Sequence, residues 1–391
     1  MMHKIRQYAA EMLRSVDPGL FVCVLILCAI SLATIFGAVE NFGHSKLRMQ
    51  IAMFLLGSVV TFVIAALDYR IVVDRLWLYM ILFSVGILVI TLLFGTSGQN
   101  METSNKSWLV IPFTGGHMIQ PSEFVKFTFI CTFAKHLYAV REQINRPLTV
   151  LGLGVHAGLY VGLILLSGDL GVALVYLAII ALMLFCAGLH LGYFAGVVAL
   201  AVLGAPYLWD HLTYYQKRRI VVGFQPELDP VQYGWQALMS RQTIAAGGFF
   251  GKGLLGGYYY EILTASHTDF IYATICEKFG FLGGAVVLIL YIILIVRIFL
   301  IARIAAFSDY GGLICVGVGG MFVAQIAENI GMNLAVIPVV GITLPFLSCG
   351  GSSMLATFMM VGLVHSVRTH SRSLREEHSL RRMGNPVSFY K

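Results

Sequence analysis

Long apolar runs separated by short polar clusters dominate the chain. A helix of roughly 20 apolar residues spans a bilayer. Windows of that kind lie near 19–38, 50–67, 76–94, 119–138, 149–166, 170–188, 192–209, 271–300, 312–335 and 343–366. The 149–209 stretch is broken only at Ser167-Gly168-Asp169 and Gly188-Leu189-His190. The pattern predicts an all-α polytopic membrane protein with about ten transmembrane helices. Three regions are expected: a cytoplasmic N-terminal segment at 1–18, a ten-helix transmembrane domain at 19–366, and a basic cytoplasmic tail at 367–391.

Composition agrees with this reading. Of 391 residues, 58% are hydrophobic and only 12% charged, about half the charged share of a soluble domain. No separate soluble domain is expected. The first 18 residues hold Lys4, Arg6, Glu11, Arg14 and Asp17 and no apolar core of signal type, so no cleavable signal peptide is expected. With both termini cytoplasmic, inner segments carry 16 of the 26 Lys and Arg residues, and the short outer loops only Lys46, Arg48 and Lys106. The same rule explains the pI near 9.0 without nucleic acid, which is not expected as a partner. The seven cysteines include no CxxC pair, so neither disulfides nor a metal cluster is expected.

Two outer loops stand out, at about 95–118 and 210–270. The longer one, the large extracellular loop, gathers Lys217, Arg218, Arg219, Arg241 and Lys252. Within it, 234–246 has helical spacing of apolar residues and predicts a short interfacial or re-entrant helix. The glycine-rich run from Gly247 to Gly257 could bring backbone N–H groups close to a ligand, but plain loop flexibility explains it more economically.

Ionisable groups inside spans are costly and are functional candidates by default. Glu123 and Lys126 are spaced i,i+3 and can pair, which serves structure and function equally well. Asp169 suits a helix cap as well as a ligand. Asp269 and Glu277 share a face if one helix carries both. Gln325, Asn329 and Asn333 recur at i, i+4, i+8 with Glu328 beside them, and helix bridging accounts for the amides best. All fall in the outer half of the membrane, implying a polar cavity beside the cationic loop. An anionic lipid headgroup fits: phosphates meet Lys and Arg while the tail stays in the bilayer. A carboxylate at that surface can act as general base; Asp269, beside His267 and Thr268, is the best placed. Residue chemistry alone does not separate an enzyme from a lipid transporter.

Several segments, in order along nearly the whole chain, resemble the SEDS family, which includes RodA, FtsW and SpoVE. They are Lys106-Ser107-Trp108; Gln120-Pro121-Ser122-Glu123 with Lys126; Gly168-Asp169-Leu170-Gly171; Gln216-Lys217-Arg218-Arg219-Ile220; Gly234-Trp235-Gln236; His267-Thr268-Asp269-Phe270; Asn329-Ile330-Gly331-Met332; Pro338-Val339-Val340-Gly341; and Leu344 through Ser352. Asn329-Ile330-Gly331-Met332 looks more like RodA than FtsW, which points to an elongation role.

The resemblance implies a ten-helix fold and a peptidoglycan glycosyltransferase in the bacterial cytoplasmic membrane that polymerises lipid II at its outer face. It implies Asp269 as catalytic residue, with Lys106, Trp108, Glu123, Lys126, Lys217, Arg218, Arg219, His267 and Glu277 around the substrate. No organic cofactor is expected; a divalent cation, Mg2+ or Mn2+, could assist the pyrophosphate. Implied partners are a class B penicillin-binding protein and other elongation or division proteins. The chain departs from the family in three places. Thr264-Ala265 follow Leu263 where Pro-Glu is common, which removes a second carboxylate or metal ligand near Asp269. Cys349 replaces the usual Tyr, and Lys106 the usual Arg. The rival readings are a lipid II flippase, which needs a polar path to both faces, and a non-catalytic scaffold.

Overall fold

The computed structural model describes residues 17–97, 105–111, 118–305 and 309–371, apart from the side chains of residues 208, 215, 216 and 219. Most of the expected N-terminal segment and basic tail therefore lies outside the described residues. Each apolar window holds a long helix: α1 Pro18–Gly37, α2 His44–Ala66, α3 Tyr69–Phe94, α4 Pro121–Ala139, α5 Pro147–Leu166, α6 Leu170–Cys186 and α7 Leu191–His211. The long loop adds α8 Tyr214–Phe224 and α9 Trp235–Gly247, and the chain closes with α10 Ile271–Ala305, α11 Gly311–Asn333 and α12 Gly351–His370. The short helix expected at 234–246 is α9. The last helix continues past 366, four residues into the expected tail.

Local chemistry sets the helix starts. Asp17, Asp68 and Asp169 cap α1, α3 and α6 by accepting backbone N–H bonds from Leu20, Arg70 and Val172. Pro18, Pro121 and Pro147 occupy first-turn positions, where the missing N–H costs nothing.

Burial sorts the helices into two classes. Six of them, α1, α2, α3, α5, α10 and α11, are long and apolar enough to cross a membrane by length and composition alone. The outer helices α2, α3, α5 and α7 present Leu, Val and Phe side chains outward, as lipid contact demands. In contrast, α4 and α12 carry many polar residues and are mostly buried within the bundle. A helix surrounded by other helices need not be apolar, because its partners satisfy its polar groups: Thr61 Oγ donates to Phe358 O at 2.8 Å, and Ser84 bonds Thr128 at 2.5 Å.

Helix α10 is broken near its N-terminal end. Gly280 takes φ 68° and ψ −166°, a conformation closed to other residues. The glycine-rich run plugs this break. Lys252 N–H donates to Glu277 O and Gly253 N–H to Lys278 O, while Phe281 N–H returns a bond to Gly248 O. A side chain on Gly251 would start 2.2 Å from Lys278 O. The run's close approach serves another backbone, so neither a ligand cradle nor free flexibility describes it.

Two buried charges lock the plug. The Glu277 carboxylate accepts the N–H groups of Tyr258, Tyr259 and Tyr260 at 2.8–2.9 Å. Lys278 is fully buried and donates to Gly37 O, Leu254 O and Gly256 O at 3.0–3.2 Å, with its ammonium 4.1 Å from the Tyr260 ring centroid. Lys278→Met should leave three carbonyls without a partner and cost roughly 2–4 kcal/mol. Thermal unfolding in detergent should register this as a clear drop in melting temperature; an unchanged melting temperature would show that the loop is held by other means.

Candidate active site

The segment entering α10 is folded first by its own turn. Thr268 N–H and Phe270 N–H both donate to Ala265 O, with Ala265 at φ 54°, and Thr274 Oγ donates to Ser266 O. Two neighbouring elements then fix it. Asn329 and Asn333 of α11 donate their side-chain amides to the Asp269 carbonyl at 2.8 and 3.0 Å. Asn329 also donates to Ile342 O, and Asn333 Oδ1 accepts from Ala273 N–H. From the loop before α12, Ser348 Oγ donates to Thr268 O at 2.7 Å and Cys349 N–H to His267 O at 2.9 Å. The asparagines are thus bridges, as expected, but they bridge to the backbone of the candidate base.

This leaves the Asp269 side chain available. Its Oδ2 lies 3.6 Å from where a Cβ would stand on Gly341, whose φ of 71° suits glycine. Burial pushes the Asp269 carboxyl up to about 6; the Thr268 hydrogen bond opposes the rise and the negative charge of Asp169 adds to it. His267 moves the other way, to about 4, through burial and the nearby Lys46 ammonium, so its imidazole is neutral at pH 7. It packs on Phe42 at 5.2 Å between ring centroids.

The other polar groups join from α4, α6 and α11. Lys126 Nζ meets Glu123 Oε1 at 2.7 Å, both side chains buried. Asp169 caps α6 through Oδ1 and accepts the Gln120 side-chain amide on Oδ2 at 2.9 Å. Gln120 N–H in turn donates to Ser352 Oγ, which ties the start of α4 to the start of α12. Asp169 lies in electrostatic range of both Glu123 and Asp269, and Glu328 in range of both Lys126 and Asp169. The outer polar group is therefore one connected set.

Lys106 and Trp108 sit at its rim. The Lys106 N–H donates to Ser167 O beside the Asp169 turn, and its side chain is exposed. Trp108 pairs with Thr96 in an antiparallel bridge, next to a two-residue ladder of β1 (Leu109–Val110) and β2 (Met118–Ile119). The basic cluster stands apart on α8. Arg218 pairs with Asp229 at 3.7 Å and Lys217 lies 5.9 Å from the Trp209 ring centroid, while the Arg219 side chain lies outside the described residues. The end of α8 nevertheless rests on the loop beside Asp269, since a side chain on Gly223 would start 2.5 Å from Pro338. Arg241 pairs with Glu227 at 2.8 Å.

Glu277 requires a correction. Helix α10 begins at Ile271, so Asp269 belongs to the preceding turn and no helix face carries both residues. The Glu277 carboxylate accepts three backbone amides and so anchors the segment at residues 258–260. Among the described residues, no three His, Cys, Asp or Glu side chains converge as a metal site. The sequence reading placed Glu328 in the polar set without assigning it to the substrate site, and left Gln120, Ser348 and Lys46 out of the site. Glu328 alone carried a usable signal, as an ionisable residue inside an apolar span.

Because the folded Asp269 carboxyl holds its proton more tightly than the unfolded one, the native state loses stability as pH rises from about 4 to 6. Asp269→Asn should therefore match the parent near pH 4 and exceed its melting temperature above pH 6, by about 2–4 °C. A difference independent of pH would mean that the carboxyl is not perturbed.

Comparison with known proteins agrees with this architecture. The FtsW/RodA/SpoVE family model, described as cell cycle protein, matches residues 16–373. A probable peptidoglycan glycosyltransferase FtsW of Trichlorobacter lovleyi is 33% identical over 90% of this chain and 92% of its own. Stage V sporulation protein E of Bacillus subtilis is 32% identical over 92% and 98%. Among solved structures, a chain of a peptidoglycan synthase complex that coordinates polymerization and crosslinking superposes with a TM-score of 0.79 at 29% identity, covering 91% of this chain and 98% of that one. RodA of Thermus thermophilus gives 0.67 at 27% identity over 91% and 98%. The chain belongs to the FtsW/RodA/SpoVE family.

Proposed function

We propose that this protein is a peptidoglycan glycosyltransferase that polymerises lipid II at the outer face of the bacterial cytoplasmic membrane. The observation that carries the reading is Asp269. Its backbone is clamped from two sides, neither asparagine engages its carboxylate, and burial raises it to about 6, near the optimum for a general base at neutral pH.

In the proposed step the Asp269 carboxylate takes the proton from the acceptor sugar's 4-hydroxyl. That oxygen attacks the donor's anomeric carbon from the face opposite the leaving group, forming the β-glycosidic bond with inversion. Undecaprenyl pyrophosphate departs with the bonding electrons. Lys217, Arg218 and Arg219, on the helix that rests against the Pro338 loop, stabilise the charge developing on the diphosphate. Lys106 and Trp108 at the rim suit the donor, the indole packing on a sugar face. Glu123 and Lys126 shape the cavity wall. A class B penicillin-binding protein is the proposed partner, supported by the likeness to a chain of a synthase complex that also crosslinks. An elongation role, carried by Asn329 to Met332, belongs to the same proposal.

The flippase alternative needs a polar route past the middle of the bundle. Beneath Glu123 and Lys126, Phe129 packs against Phe133, Tyr160 and Tyr176 with ring centroids 4.9–5.2 Å apart, all four side chains fully buried. This seal favours chemistry on one side.

Purified protein with its partner, given labelled lipid II in detergent, should form glycan polymer, where no sidedness exists for a flippase to exploit. The rate should rise with pH through about 6 as Asp269 loses its proton, and Asp269→Asn should fall at least a thousandfold. Full activity of that variant would remove Asp269 from its role.

A further inference from the structure

The four helices that carry the site converge again at their opposite ends, around a cavity of about 580 Å3. It lies between α4, α6, α10 and α11, and its walls include Tyr138, Arg141, Cys186, Phe299, Arg303 and Val316. Its chemistry is divided. Phe299, Val316 and Cys186 form an apolar side, while Arg141 and Arg303 supply two guanidinium groups. Arg141 lies 4.1 Å from the Tyr138 ring centroid. Neither arginine forms a salt bridge among the described residues. The cavity's carboxylate does not neutralise them: Asp309 Oδ1 accepts from the Tyr69 hydroxyl at 2.6 Å and from Gly311 N–H at 2.7 Å, and Oδ2 lies 3.8 Å from Arg70.

We propose that this cavity binds the headgroup of an anionic phospholipid. Two guanidiniums without an ion pair among the described residues, at the boundary between charged helix ends and apolar helix walls, match the level of lipid phosphates, and basic pockets between transmembrane helices on the cytoplasmic side are suited to such headgroups. The apolar wall receives the upper acyl chain. An acidic protein segment would satisfy the arginines and leave that wall uncovered. Assignment to the inner leaflet rests on the proposed orientation; recognition of the phosphate does not. The placement has a structural consequence. Glu123 and Lys126 lie at the far end of α4, the Asp169 cap at the far end of α6, the Asp269 turn before α10, and Asn329 and Asn333 at the far end of α11. A lipid held here ties together the inner ends of α4, α6, α10 and α11, which carry the buried polar groups of the site.

Native mass spectrometry of the full chain in neutral detergent tests this, with phosphatidylglycerol as the probe and phosphatidylcholine as the neutral-headgroup control. The parent should retain phosphatidylglycerol in preference. Arg141→Gln with Arg303→Gln should lower its occupancy roughly tenfold or more, while Arg75→Gln, another exposed arginine, should not. Cys186→Trp, which fills the cavity and keeps both charges, should also lose the lipid, and it guards against a double variant that merely folds poorly. Equal retention by the double variant or by Cys186→Trp would overturn the proposal. So would equal binding of phosphatidylcholine, displacement by millimolar glycerol phosphate, or a co-purifying acidic protein seated on the arginines.

Discussion

The candidate site depends on a contact with the backbone of Asp269, its proposed base. Two asparagine side chains one helical turn apart on α11 converge on the carbonyl oxygen of Asp269. Had they bonded the carboxylate, they would have held its charged form and lowered its proton affinity. By taking the carbonyl they fix the residue's position and leave its acid–base behaviour to burial. Ser348 and the Cys349 amide do the same for Thr268 and His267 from the opposite side. The proposed base, itself on a loop, is thereby held by α11 and by the loop before α12, which is what a precisely oriented proton transfer requires.

The charge balance around that base constrains where a diphosphate can lie. Asp269, Asp169, Glu123 and Glu328 share one neighbourhood with a single buried ammonium, Lys126. That interior suits a sugar rich in hydroxyl groups far better than a phosphate. The cations stand at the edges: Lys106 beside the Asp169 turn, Lys46 near His267, and the basic residues of α8, whose end rests on the Pro338 loop. Within the proposed reaction, the reacting hydroxyl therefore sits inward and the leaving group outward.

The helices were legible because lipid imposes one rule on every span, and the rule is written locally. The windows at 119–138 and 343–366 hold α4 and α12 even though these helices are polar, since enough apolar residues remained, but the last helix begins only at Gly351. The candidate base was legible for a different reason: an aspartate beside a histidine and a threonine at the mouth of an apolar run has few bland explanations. What the sequence hid was tertiary. Nothing local says that α10 begins only at Ile271, so Glu277 read as one face with Asp269, although its true partners are the amides of residues 258–260. The glycine run read as a loop because its complement, the exposed carbonyls of the break, exists only after folding. Gln120 and Ser348 are ordinary polar residues until the helices bring them to Asp169 and Thr268.

The account stands on the side of the membrane that residue 269 faces. Asp269→Cys in a background freed of the seven native cysteines, treated with a membrane-impermeant maleimide, gives the most direct reading. Labelling in right-side-out vesicles and protection in inverted ones is the predicted result. Labelling from the cytosolic side would contradict it.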